Sequence, residues 1–350
     1  MPKVIVHVAE AWVGGVSSYV RDLCYAQLED NCDVYLLLSD EFTFEGDSRV
    51  KLIKYKSSRS LFQLVGVARK VASIIDEISP DVVFSHSSFS GVYVRWRRWG
   101  FIKVIHIPHA WPFLMEGHFL KRFIYRKIEK YLAHNCDHIV CMSIEEFHAA
   151  SNAKIPNCSY IYTGIPELAS IKGFQLKSSE GKCRLKVGFV GRFDFQKGFD
   201  LVSDVIESAN SNEFEFHLVG SSVRGDSYVP DGGNVYSYGW REFSEVQSFL
   251  LEVDIMLFPS RWEGFSLAPL EAFRASTPVI VSSETSLHEF VIDGFNGFIM
   301  PSLDLSSILL CLQKSISKDL PLMGVNAYGV YKETLTFESY FEKMRALYEV

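Results

Sequence analysis

The sequence has no C-x-x-C pair, and its seven cysteines (Cys24, Cys32, Cys136, Cys141, Cys158, Cys183 and Cys311) are odd in number. Both facts argue against a disulfide framework and a zinc site, leaving reduced and mostly buried thiols. No apolar run approaches the ~20 residues that a membrane-spanning helix needs. The apolar opening, Val4 to Ala9, is too short for the core of a signal peptide and contains His7; it reads as a buried first strand of a cytoplasmic protein. There is no Walker P-loop and no G-x-G-x-x-G after the first strand, which disfavours a nicotinamide dehydrogenase. Internal repeats and low-complexity tracts are missing as well.

An excess of positive charge is also lacking: the net charge is −7, which argues against general nucleic-acid binding. The deficit is uneven. Residues 1–166 carry 19 Lys and Arg against 17 Asp and Glu, whereas residues 167–350 carry 16 against 25. The halves are suited to different partners.

What is present is an ordinary globular composition, 48% hydrophobic and 22% charged, over 350 residues, enough for two cores. Short β-branched and aromatic runs alternate with helix-like stretches. They lie at 4–8, 34–38, 82–85, 104–107, 138–142 and 160–162, then at 185–190, 214–219, 234–238, 255–258, 278–281 and 297–300. Continuous apolar strands alternating with helices imply two doubly wound α/β domains with parallel sheets. The expected division is 1–166, a linker over 167–182, a second domain over 183–330, and a C-terminal segment over 331–350. Helical spacing of Phe337, Tyr340, Phe341, Met344 and Leu347 predicts a helix there, one that could pack back on the first domain. Ligands of such sheets bind beyond the carboxyl ends of the strands.

Three stretches fall at such ends. Gly14 and Gly15 follow the first strand, where paired glycines let backbone amides approach a ligand, or simply form a tight turn. Gly191-Arg192 and Lys197 follow the strand at 185–190; alone these are ordinary surface cations, but beyond a buried strand they are placed to neutralise a diphosphate. After the strand at 255–258 comes Glu263-Gly264-Phe265-Ser266-Leu267, with Ser266 expected as an N-cap, Pro269 in a first helical turn, and Glu271 on the helix. Two glutamates eight apart mean little by spacing; carboxylates beside a helix start suit the paired hydroxyls of a sugar or ribose. No Asp-x-Asp stands near a strand end as a metal ligand set.

These pieces resemble glycosyltransferase family 4, the retaining enzymes of the GT-B fold, and in particular bacterial surface-polysaccharide transferases. The matching segments are Gly14-Gly15, Thr163-Gly164-Ile165-Pro166, Gly191-Arg192 with Lys197-Gly198, Pro259-Ser260-x-Trp262-Glu263-Gly264-Phe265 with Glu271-Ala272, and Glu289 with Gly294-x-Asn296-Gly297. The resemblance implies two Rossmann-like domains facing each other across a cleft. It also implies transfer of a hexose or N-acetylhexosamine from a nucleotide sugar (UDP-linked before GDP-linked) to a lipid-diphosphate-linked or oligosaccharide acceptor. Arg192 and Lys197 are implied to hold the diphosphate, Glu271 the ribose, and Glu263 the sugar, with Gly264, Phe265, Ser266, Leu267, Gly14 and Gly15 lining the donor site. His109 resembles the histidine of a His-Gly-Trp segment that faces the donor sugar, with Ala110 in the glycine's place. Neither a metal nor a cofactor is expected.

The chain departs from the family pattern at Ser276 and at Thr285-Ser286, where relatives carry glycine. The alternatives are another GT-B enzyme, such as a sugar-nucleotide epimerase or a phosphorylase, and a non-catalytic saccharide-binding scaffold. Two mixed basic-aromatic segments, 95–101 and 118–130, predict contact with the inner face of an anionic membrane, or else cations flanking buried aromatics.

Overall fold

The computed structural model describes residues 2–114, 118–168, 184–222 and 228–349. Contacts divide the chain into two units, Met1–Tyr162 with Tyr340–Val350, and Thr163–Ser339.

The first unit is built on seven strands: β1 (Val4–Ala9), β2 (Asp33–Ser39), β3 (Lys51–Tyr55), β4 (Val82–His86), β5 (Lys103–Ile107), β6 (His138–Cys141) and β7 (Cys158–Tyr160). All pair in parallel, in the order β3-β2-β1-β4-β5-β6-β7. The connecting helices are α1 (Gly15–Glu29), α2 (Leu61–Ile78), α3 (Ser87–Arg95), α4 (Phe119–Leu132) and α5 (Ile144–Asn152). One face of the sheet presents Val6, Val8, Leu37, Val83, Val104 and Ile139 to Val71, Ile75, Tyr93 and Trp111. β1 and β4 are wholly or nearly buried along their length, as strands covered on both faces must be.

The second unit repeats the plan with six parallel strands: β8 (Leu185–Val190), β9 (Phe214–Val219), β10 (Val235–Ser237), β11 (Ile255–Phe258), β12 (Val279–Ser282) and β13 (Gly297–Met300). Their order is β10-β9-β8-β11-β12-β13. The helices are α6 (Phe199–Ser208), α7 (Phe243–Glu252), α8 (Ala268–Arg274), α9 (Leu305–Ile316) and α10 (Leu320–Thr334). Val187, Phe189, Phe216, Leu218, Leu257 and Ile280 pack with Phe199, Val202, Ile308 and Leu312.

The final helix, α11 (Phe337–Glu349), starts in the second unit and joins the first from Tyr340 onward. Tyr340, Met344 and Tyr348 recur every four residues on its buried face. Tyr340 meets the ring of Tyr19 at 5.4 Å and Tyr348 that of Phe84 at 6.0 Å, while Lys3 Nζ donates to the Tyr348 carbonyl. Within the second unit, Ile165 is bonded on both sides of Thr336, through Leu335 O and Phe337 N–H at 3.0 Å each. Of the expected linker, 167–182, only Glu167 and Leu168 are described; the rest lies outside the described residues. Cys183 does too. The other six cysteines are free thiols, four of them buried.

Candidate active site

β8 and β11 are neighbours, with Ile255 opposite Val187, so the loops that leave their carboxyl ends run side by side. Gly198, at φ +69°, joins the two: a Cβ there would collide with the carbonyl oxygen of Pro259, so only glycine permits the approach. Across this junction Lys197 Nζ donates to Glu263 Oε1 at 2.5 Å, with only 8% of the Glu263 side chain exposed. Arg192 donates to Gln196 Oε1 at 2.8 Å and lies 3.3 Å from Asp194. Gln196 donates to Trp262 O at 3.1 Å, and Asp194 accepts the Lys197 N–H at 2.9 Å. Arg261, which the sequence analysis passed over, clamps Asp200 with two 2.7 Å bonds and covers the Phe195 ring at 3.6 Å.

The two cations are therefore brought together with Glu263, and each already holds an acceptor. Gly264 O accepts the Ser286 hydroxyl at 3.0 Å, and buried Phe265 sits edge-on to Phe290 at 5.6 Å. Thr285 is extended, φ −134°, so its departure from glycine costs no backbone strain. Glu271 lies in the first turn of α8, partly exposed. The expected cap is corrected: Ser266 is buried but does not cap α8. Leu267 takes that position without a side-chain bond, because Pro269 sets the first turn of a seven-residue helix.

In the first unit Gly14 precedes α1 at φ +61° and ψ −136°, a conformation open to glycine alone, and Gly14 and Gly15 are both exposed. His109 follows β5 at φ +57° and Ala110 at φ +151°, two consecutive non-glycine residues in sparsely populated backbone regions. Trp111 anchors them, fully buried, with Nε1–H donating to Glu146 O at 3.1 Å.

His109 Nε2 lies 3.1 Å from His86 Nδ1, His86 Nε2 lies 2.9 Å from His7 Nδ1, and His7 Nε2 lies 2.7 Å from Gln27 Oε1. Tyr19 stands edge-on to His109 at 4.8 Å. Desolvation lowers His7 to about 4 and His109 to about 3, and takes His86 and His106 well below their ordinary value. All four rings are neutral at pH 7. His106 is structural, bonded to Ser85 Oγ at 2.9 Å. Sequence reading missed His86, Gln27 and Glu10. The last is a buried carboxylate just past β1, paired with Arg59 at 2.8 Å. The available signal was a polar residue inside or just after an apolar strand for His86 and Glu10, and an amide on the inner face of α1 for Gln27. Among the described residues no three His, Cys, Asp or Glu side chains group as a metal site.

The two basic-aromatic segments differ. In 95–101, Arg95 is fully buried against Glu129 at 2.8 Å, Trp99 is buried under Arg97, and Arg97 meets Asp76. Only Trp96 and Phe101 face outward as large apolar groups there. α4 is the opposite. Glu129 and Leu132 face inward, and Phe119, Leu120, Phe123, Ile124, Ile128 and Tyr131 are exposed, Phe119 by 75%. Lys121 and Lys127 lie over the rings of Tyr125 and Phe123. No described helix is long and apolar enough to cross a membrane.

Residues 13–167 match Glycosyltransferase Family 4, and residues 184–315 match Glycosyl transferases group 1. An uncharacterised 41.2 kDa protein of the cps region of Klebsiella pneumoniae is 29% identical over 87% of this chain and 88% of its own. The UDP-Gal:alpha-D-GlcNAc-diphosphoundecaprenol alpha-1,3-galactosyltransferase of Escherichia coli is 24% identical over 77% of this chain and 75% of its own. The solved structure of Anabaena HepE with UDP superposes with a TM-score of 0.79 at 16% identity, covering 100% of both chains, a likeness of fold. The two family matches follow one another along most of the chain, one to each Rossmann-like sheet, and the chain belongs to the group 1, family 4 glycosyltransferases, enzymes of the GT-B fold.

Proposed function

We propose that this enzyme is a retaining transferase that moves a hexose or N-acetylhexosamine from a UDP-sugar to a lipid-diphosphate-linked saccharide during assembly of a bacterial surface polysaccharide. The observation that carries the reading is the junction of the β8 and β11 loops, where Lys197 pairs with Glu263 and Arg192 is tied through Gln196 to the neighbouring Trp262. In this reading Arg192 and Lys197 stabilise the charge developing on the departing diphosphate. Glu263 and His109 contact the donor sugar, and Glu271 binds the ribose. Gly264, Phe265, Ser266 and Leu267 approach sugar and phosphate, with Gly14 and Gly15 as further donor contacts. The acceptor hydroxyl attacks C1 as the C1–O bond to phosphate breaks, and the departing phosphate oxygen takes the hydroxyl proton. Neither a resident metal nor a cofactor is needed in this scheme, because the two cations carry that electrostatic role.

Support for the substrates comes from relatives: the Escherichia coli enzyme is named for UDP-Gal and a diphosphoundecaprenol acceptor, and Anabaena HepE was solved with UDP. The exposed apolar face of α4, edged with lysines, suits peripheral contact with the anionic inner face of the cytoplasmic membrane, where such an acceptor resides.

The test is a transfer assay with UDP- and GDP-sugars and a saccharide-diphospholipid acceptor, reading product anomeric configuration by NMR and watching for epimerised donor. Lys197→Ala and Arg192→Ala are each expected to lower kcat/KM by about a hundredfold or more. An inverted product would reject retention, epimerised donor without transfer would favour an epimerase, and unimpaired variants would reject the site.

A further inference from the structure

We infer that Gln27 is a positioning residue: through His7 and His86 it fixes which ring nitrogen of His109 carries the proton, leaving His109 Nδ1 a bare acceptor for a hydroxyl of the donor sugar. The sugar contact rests on the reading of His109 above; the relay itself does not.

The argument is one of counting protons. A neutral imidazole has one N–H and one lone pair. Gln27 Oε1 can only accept, so the 2.7 Å contact requires the proton of His7 on Nε2. His7 Nδ1 is then a lone pair, and the 2.9 Å contact requires His86 to donate from Nε2. His86 Nδ1 is left as an acceptor, and the 3.1 Å contact requires His109 to donate from Nε2. His109 Nδ1 makes no hydrogen bond among the described residues, and His109 keeps a partly exposed edge. The His7 and His86 rings lie edge to edge within 16° of coplanar, as an in-plane hydrogen bond requires, and both are fully buried, as is Gln27. Desolvation keeps each ring neutral, so the chain is not short-circuited by a second proton on any member.

Turning the Gln27 amide by half a turn would move every proton in the chain and make His109 Nδ1 a donor. One amide thus selects between opposite hydrogen-bonding characters three rings away. Gln27 belongs to an otherwise apolar inner face of α1, with Val20, Leu23 and Cys24, and its Nε2 has no partner. A buried amide that satisfies only one end costs stability relative to an apolar residue of the same shape, and a role in the relay accounts for its retention.

The experiment uses full-length protein labelled with 15N-histidine and reads tautomers from two-bond 1H–15N correlations, with His109→Asn assigning the His109 signals. In the wild type His7, His86 and His109 are each expected as the single Nε2–H tautomer; a proton on Nδ1 of His109 overturns the relay. In Gln27→Met, an apolar near-isostere, His109 is expected to populate both tautomers. Transfer is then expected to fall with the competent fraction, at least about twofold for an even mixture, while titration with free UDP is unchanged. An unmixed His109 in Gln27→Met overturns the role of Gln27, and mixed tautomers with unchanged transfer overturn the link to the sugar. If no sugar nucleotide is turned over at all, the functional reading fails, yet the NMR measurement still decides the relay.

Discussion

Ser276 closes α8 with a pair of bonds, Ser276 N–H to Phe273 O at 3.0 Å and Thr277 N–H to Ala272 O at 2.8 Å. This is the Schellman arrangement, whose penultimate residue is left-handed and usually glycine. Ser276 holds φ +55°. A side chain in that region costs about 1–2 kcal/mol, so Ser276→Gly is expected to stabilise the protein by about 1 kcal/mol, read as a raised urea midpoint. A midpoint that stays put or falls would remove the strain argument. The two departures from the family pattern thus differ physically: Ser276 meets a backbone demand that serine satisfies poorly, whereas extended Thr285 meets none. Ala110 is like Ser276 in being a non-glycine residue at positive φ, +151°.

At the scale of elements, α4 leaves most of its apolar residues outward among exposed lysines and holds Glu129 inward against Arg95. Changing Phe119 and Phe123 to Ser, together with Lys121 and Lys127 to Glu, is expected to abolish co-sedimentation with anionic liposomes while leaving the melting temperature within a few degrees. Arg97 and Arg98 changed to Glu are expected to matter less, because their segment is turned partly inward. Retained binding of the α4 variant would reject the membrane face. Most of this architecture was legible in the chain: eleven apolar runs fall on strands, and the twelfth, 160–162, overlaps β7 (Cys158–Tyr160) only at Tyr160. The strand that no run marks, β3 (Lys51-Leu52-Ile53-Lys54-Tyr55), is a largely exposed edge strand with lysine in two of five places, so it lacks the apolar continuity of a buried strand. The cations and glutamates were legible because strand ends locate them. The histidine relay was not: His7, His86 and His109 are scattered over a hundred residues, and only the pairing of β1 with β4 and of β4 with β5 makes them neighbours. The inward turn of Arg95 was hidden for the same reason, since its partner Glu129 lies on a different helix.

For the whole molecule, the described histidines whose pKa is lowered by desolvation all lie in the first unit. Once unfolded they protonate below their ordinary pKa of 6.5, so the unfolded chain binds more protons than the folded one. Their stabilising contribution is full above pH 6.5. It is lost as the pH falls from there toward about 4 for His7 and about 3 for His109, at up to about 1.4 kcal/mol per pH unit for each ring. Hydrogen exchange between pH 7.5 and 5 is therefore expected to show amides of the first unit losing protection before those of the second. Equal loss in both units would rule out the histidines as the cause.

The return of α11 to the first unit has a consequence for how the protein is made. Tyr340, Met344 and Tyr348 fill space beside Tyr19 and Phe84, residues that leave the ribosome far earlier. The entire second unit is translated in between, which takes roughly ten to forty seconds at bacterial elongation rates. During that interval the first unit waits with an open apolar seam next to its histidines, and the nascent chain is a natural client for chaperones until its last helix arrives to close it.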